Sequence, residues 1–323
     1  MTNHRRTLLV VFAVVFTIAG VSRLVFGPRL TIAEKRDYQD DKADGRLVGL
    51  LTLHIDALVP LHKTMPKPRP GDWLAQHKEP GQTFLDYVRS GPVRPLGKRN
   101  TIYIQPLGEF TKTQRKIVEL TAEYLSIYFN CPVKISKDLP LDKVPTEAWR
   151  IHPTWLDKQI LTTWVLNDVL KPKLPEDAAA SIAFTAMDLW PGDGWNFVFG
   201  QASLKERVGV WSIYRFGDPD KSQDDYRRCL LRTLKVGTHE TGHMFGIWHC
   251  TAYECNMNGS NNLGESDRQP LWLCPQCMSK ASWASRIEPA KRFEKLKAFC
   301  EKHELKDEAA YYGKAMEAVK KVE

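Results

Sequence analysis

His239, Glu240, His243 and His249 are the residues of this chain best placed to do chemistry, within the run His239-Glu240-Thr241-Gly242-His243-Met244-Phe245-Gly246-Ile247-Trp248-His249-Cys250. On a helix, residues four apart share a face, so the imidazoles of His239 and His243 can reach one Zn²⁺. Glu240 stands beside them, where a carboxylate can take a proton from attacking water and return it to a leaving amine. Gly246 lets the helix stop, because glycine accepts a left-handed conformation, and the chain can then turn to bring in His249 as third ligand. Three protein ligands leave one position open, as hydrolysis requires. A bare His-Glu-x-x-His arises by accident in roughly one chain of this length in a hundred, and fixing Gly246 and His249 as well lowers that chance about a thousandfold. The run therefore reads as a metalloprotease centre, with His239, His243 and His249 on a catalytic zinc and Glu240 as general base.

A second cluster follows: Cys250 and Cys255, then Met257, then Cys274 and Cys277 beyond an insert carrying Asn258, Gly259, Ser260, Asn261, Asn262 and Gly264. Four thiolates would close a tetrahedral zinc shell with no place for water, so this site would be structural and would staple the insert to the active-site segment. Two disulfides are the alternative. Cys274 and Cys277 are too close for an ordinary bridge, though a redox pair has this spacing. The expectation is two Zn²⁺ per chain, one catalytic and one structural. Cys250 adjoins His249, so loss of the sulfur site would displace the third histidine.

The whole pattern, His-Glu-x-x-His-x-x-Gly-x-x-His-Cys followed by Cys-x-Met and Cys-x-x-Cys, resembles the signature of the archaemetzincins, a metzincin-type zinc metallopeptidase family. Asp188-Leu189-Trp190, Trp195-Asn196-Phe197-Val198-Phe199-Gly200-Gln201-Ala202 and Ile104-Gln105-Pro106-Leu107-Gly108 are similar to segments of that family, so the likeness runs from Thr101 to Met278. It implies a metzincin-like zincin fold with a mixed twisted sheet, an active-site helix and a small zinc-stapled C-terminal subdomain. It also implies the zinc ligands and base named above, and a methionine turn at Met257 beneath the metal. Taken alone, Met257 is more often core packing, since methionine fills irregular gaps. Some metzincins carry a tyrosine just after that methionine. Here Asn258 and Gly259 follow, which leaves the developing oxyanion to zinc and backbone amides.

The elements that must position these residues are legible from periodicity. Residues 101–105 alternate as a strand, 114–128 have helical spacing, and a second strand begins at Pro132 and Val133. An amphipathic helix is expected over 155–170, then strands at 182–187, 197–202 and 208–214, and the zinc helix over 225–245. Strands alternating with helices and closing in a hairpin make an α/β (α+β) fold with a mixed sheet. Residues 288–303 and 306–322 read as charged helices forming a C-terminal cap or a partner-binding face. The division expected is 1–30 membrane anchor or signal peptide, 31–98 extension and proline-rich linker, 99–285 catalytic domain and 286–323 helical extension.

The 323 residues carry a formal charge of +8, with 46 basic residues interleaved among 38 acidic ones, which speaks for a solvated surface and against a nucleic-acid groove. His4, Arg5 and Arg6 precede an apolar run from Leu8 to Val21, which Leu24, Val25 and Phe26 extend if Arg23 snorkels. This segment is expected to be a single-pass membrane anchor, with export after signal cleavage as the alternative. Cys131, Cys229 and Cys300 read as small buried hydrophobes, and His54, His62 and His77 as packing or solvated residues. Two functions fit: a zinc-dependent peptidase acting on a peptide or protein, and a zinc-stabilised, catalytically weak module that binds peptides or a protein partner. An intact Glu240 favours the first, because zinc binding alone demands no carboxylate there.

Overall fold

In the computed structural model, which describes residues 38–322, strand β5 (Ala178–Thr185) has every residue buried. It lies at the middle of a five-stranded sheet of order β2-β1-β5-β8-β7, with β1 (Thr101–Leu107), β2 (Val133–Ile135), β7 (Gly200–Ser203) and β8 (Val208–Ser212). The first four strands in that order run parallel, and β7 closes the edge antiparallel to β8. Side chains alternate across the strands, so Ile182, Phe184 and Trp211 enter one core while Ala183, Val208 and Val210 enter another on the opposite face.

On the first face lie α4 (Lys112–Phe129) and α6 (Gln223–Met244), packed against each other. Thr111 starts α4 with a capping box, its hydroxyl accepting from the Gln114 N–H and its N–H donating to the Gln114 side chain. The second face is covered by a small sheet of order β3-β4-β6, made of Trp149–Ile151, Lys158–Leu161 and Asp188–Trp190, and by a short helix α5 (Thr162–Trp164) that runs on as a π-helix, Val165–Leu170. The helix expected over 155–170 thus begins later. Leu156 takes a left-handed φ of 60°, β3 turns back into β4, and Gln159 to Leu161 pair with β6 instead of coiling.

The C-terminal pair α9 (Pro289–Lys302) and α10 (Lys306–Lys320) packs onto the body of the molecule. Phe293, Leu296, Tyr312 and Ala315 join the main core, and the Tyr312 hydroxyl meets that of Tyr124 on α4 at 2.8 Å. Leu47 to Ile55, which carried no assignment from periodicity, belong to helix α1 (Tyr38–Leu58), which packs against α8 (Pro275–Ala284) and α10. Asp44 of α1 is held by both Arg94 and Arg286. The proline-bearing stretch that follows is fastened to the second cysteine segment: Met65 N donates to Ala252 O and Glu254 N to Lys63 O, at 2.9 and 3.0 Å. Two short helices complete the extension, α2 (Trp73–Gln76) and α3 (Phe84–Arg89).

One expectation is corrected. The single-pass anchor, and with it the membrane as partner and location, is not retained: among the described residues no helix is long and apolar enough to cross a membrane. The leader itself, 1–30, lies outside the described residues. Its uninterrupted apolar run from Leu8 to Val21 is shorter than the roughly 20 residues a span needs, and it reaches that length only by counting across Arg23.

Candidate metal centre

Helix α6 carries the first two histidines and ends where the chemistry needs it to end. Ser222 caps its start, accepting from the Asp225 N–H at 3.1 Å. At its other end Gly246 takes a φ of +81°, Gly246 N donates to His243 O and Ile247 N to Gly242 O. This left-handed glycine reverses the chain and returns His249 toward the helix, as the spacing predicts. His239 lies one turn before His243, and their rings stand edge to face with centroids 4.5 Å apart. His249 completes the group at 5.4 and 4.8 Å from the other two rings. One nitrogen from each of the three falls within 4.8 Å of the others.

The partners of the rings fix their tautomers. His239 Nδ1 donates to Asn256 O at 2.7 Å and His243 Nδ1 donates to Ile247 O at 2.6 Å. Both Nε2 atoms are then left with lone pairs, and they face each other at 2.9 Å. Two such lone pairs repel unless a cation lies between or beside them, so the arrangement fits a metal ion. Burial lowers both imidazoles, His239 to about 3 and His243 well below its usual value, which keeps them neutral ligands at ordinary pH.

Glu240 is buried, and its Oε2 has no hydrogen-bond partner. Burial pushes its carboxyl up to about 8. Its side chain lines a cavity of ≈ 30 Å³ together with His239, His249, Trp73 and Asn258, room for one or two waters. A groove of ≈ 280 Å³, walled by Leu204, Ile247 and Trp248, is also lined by His243 and His249. Beneath the helix, the buried side chain of Met257 lies so near Gly242 that a β-carbon there would stand 2.9 Å from its sulfur.

Cys250, Cys255, Cys274 and Cys277 are all buried, and no disulfide joins them. Their sulfurs lie within 4.8 Å of one another, with Cys250 and Cys274 at 3.6 Å. A tetrahedron of sulfurs about 2.3 Å from zinc has edges of about 3.8 Å, so the spacing suits that metal. Backbone amides of Met257, Cys274 and Cys277 point at Cys255 and Cys274 sulfurs at 3.2 to 3.5 Å. Hydrogen bonds from the neighbouring cysteines pull the Cys250 thiol down, while burial drives Cys255 and Cys274 up. Were all four ionised, such buried thiolates side by side would demand a balancing cation, which is what a bound metal supplies. Among the described residues these two groups are where histidines, cysteines and carboxylates gather as they would around a metal; His54, His62, His77, Cys131, Cys229 and Cys300 join neither.

The sequence profile of peptidase family M54 matches residues 178–282, from β5 through α6 and both clusters. Archaemetzincin-2 of Homo sapiens is 35% identical over 259 residues, covering 70% of this chain and 71% of that one. This chain belongs to the archaemetzincin family. The archaemetzincin of Archaeoglobus fulgidus is 32% identical over 179 residues, which is 55% of this chain and 97% of its own. A solved archaemetzincin from Methanopyrus kandleri is 27% identical, with a TM-score of 0.45, and spans 59% of this chain and 97% of its own. As an archaemetzincin the chain is a zinc metallopeptidase, a hydrolase. The other segments that resemble the family turn out to hold the frame: Asp188 on β6 is fully buried and accepts from Arg215 and from Gln159, and Ile104 and Leu107 are core residues of β1.

Several residues at this archaemetzincin's site were silent in the sequence. Asn258 clamps the cysteine loop, accepting from Cys255 N at 2.7 Å and donating to Cys250 O and Tyr253 O at 2.7 and 2.9 Å. Lys235 is buried and donates to Ser266 O and Gln269 O, fixing the insert to α6. Trp73 and Glu79 reach the histidines from the N-terminal extension. The asparagine-rich makeup of the insert hinted at part of this, and Trp73 reads from the sequence as an aromatic that ties the extension to the domain surface, as it does.

Proposed function

We propose that this archaemetzincin cleaves peptide bonds with His239, His243 and His249 on a catalytic zinc and Glu240 as general base, while Cys250, Cys255, Cys274 and Cys277 hold a second, structural zinc. The observation that carries the reading is the convergence of two lone-pair nitrogens and a third imidazole on one point, beside a buried carboxylate oxygen with nothing to bond. Zinc, when bound, supplies Lewis acidity that polarises the peptide carbonyl and acidifies water. Burial alone holds the Glu240 carboxyl at about 8, and a cation on the histidines would bring it down into its ionised form, in which Oε2 takes the proton of the attacking water and gives it to the departing amine nitrogen. The hydrogen bonds to Asn256 O and Ile247 O hold two imidazoles in the ligating tautomer throughout. We read 99–285 as the catalytic unit, with 31–98 and 286–323 packed around it.

A substrate strand fits the sheet edge at β7. Ser212 N donates to Phe199 O, so in the alternating antiparallel ladder Gln201 also pairs toward β8, and the N–H of the buried Ala202 points away from β8. Leu204, just beyond β7, shares the groove with His243 and His249, which puts a peptide added to that edge beside the histidines. Ala202→Pro removes the outward N–H and spares the β7–β8 ladder. It should raise KM about tenfold or more with zinc content unchanged, and an unaltered KM would eliminate β7 as the docking edge.

The function itself is tested by loading the protein with zinc, incubating it with a mixed peptide library and reading products by mass spectrometry, with a chelator-treated control. Cleavage that stops on chelation is expected. Silence from folded, zinc-loaded protein would point instead to a peptide-binding module.

A further inference from the structure

We propose that Glu79 is a positioning residue for the third metal ligand: its carboxylate fixes the tautomer and ring orientation of His249 and thereby helps set the affinity of the histidine site for its metal. The inference rests on the zinc site proposed above. His249 Nδ1 lies 2.9 and 3.1 Å from the two oxygens of Glu79. The other two histidines donate to uncharged carbonyl groups, so among the three His249 is the one aimed at a carboxylate. Donation from Nδ1 leaves the Nε2 lone pair for the metal, and a carboxylate acceptor holds the ring in that tautomer and orientation.

Glu79 is itself held in register with its histidine. Gln82, three residues on, bonds both sides of the turn that delivers His249: its amide donates to Gly246 O at 3.3 Å and its oxygen accepts from Trp248 N at 3.2 Å. Trp73, six residues earlier, sets its ring against His249 edge to face, with centroids 5.2 Å apart. The segment 73–82 therefore brackets the third ligand from both ends, and the carboxylate between these two anchors meets the ring nitrogen. His249 has need of such support. His239 and His243 stand on a helix, whereas His249 sits in a stretch without regular structure.

The test compares the full chain with Glu79→Gln, Glu79→Ala and His249→Ala. Zinc affinity at each site is read by competition with a chromophoric chelator, and Co²⁺ placed in the histidine site is followed by its visible absorption. Removing an outer carboxylate from a metal-bound histidine costs about 10- to 100-fold in metal affinity. Glu79→Gln is expected near the lower figure and Glu79→Ala near the upper, with an altered Co²⁺ spectrum and the cysteine-site zinc retained. Zinc binding within twofold of wild type in both Glu79 variants, alongside a large loss in His249→Ala, would overturn the role of Glu79 and leave the zinc site standing. A lower melting temperature of the metal-free variants with unchanged affinity would also overturn it, since that is the mark of a merely structural contact. If His249→Ala bound both zinc ions as tightly as wild type, the three-histidine reading would fail first. Glu79→Gln is nearly isosteric, so it keeps the comparison valid should the alanine variant fold poorly.

Discussion

Glu240→Ala should leave the zinc content intact and lower kcat by about 10²- to 10⁴-fold, roughly 3–5 kcal/mol of barrier. The argument is local. Glu240 sits on α6 between His239 and His243 but makes none of the contacts that orient them, since those run to Asn256 O and Ile247 O. Removing its carboxylate therefore takes away a proton acceptor without disturbing a ligand. The variant also loses a buried oxygen with no partner, so it should be no less stable than wild type, and it gains if the uncompensated carboxylate costs folding energy. Single-turnover cleavage and zinc stoichiometry on the same preparation check both halves. A variant that cleaves at the wild-type rate would dismiss Glu240 as the base.

Cys274→Ser should have the largest effect on stability. Cys274 is fully buried, caps α8 by accepting from Cys277 N, and lies 3.6 Å from Cys250. Losing one of four thiolates leaves the remaining sulfurs without a closed shell, and the segment between Cys255 and Cys274 loses the metal that would order it. A loss on the order of 4 kcal/mol, or about 10 °C in melting temperature, is expected with one zinc fewer per chain. Activity should fall as well. Cys250 follows His249 directly, and its N–H bonds Met257 O at 2.7 Å, so the third ligand, the methionine below the helix and the first sulfur share one short backbone path. Thermal melts and zinc counts together decide the matter; a variant with two zinc ions and an unchanged melt would refute the structural site.

What could be read from the sequence was what is written at short range. The pair His239 and His243, the stop at Gly246 and the return of His249 follow from helical spacing and one glycine. The five strands of the main sheet follow from alternation, while β3, β4 and β6 of the small sheet do not. The cysteine pairs announced themselves by number and spacing. What could not be read depends on contacts between distant segments. Glu79 stands among His77, Lys78 and Pro80, in a stretch whose composition marks only a polar loop, and its partner is 170 positions away. Helix α1 reads as a short apolar run until α8 and α10 are there to bury Leu51 and Leu58. Gln159 to Leu161 have a spacing that suits a helix, and it is the neighbouring β3 and β6 that make them a strand.

Helix α1, near the start of the chain, is seated on α8 and α10, near its end, and the segment after it supplies the carboxylate that meets His249. The seat of α1 is therefore complete only once α10, more than 200 residues further along the sequence, has been made. Contacts so distant in sequence carry a high loop-closure cost and form slowly, so the support that Glu79 gives His249 is expected to come late in folding.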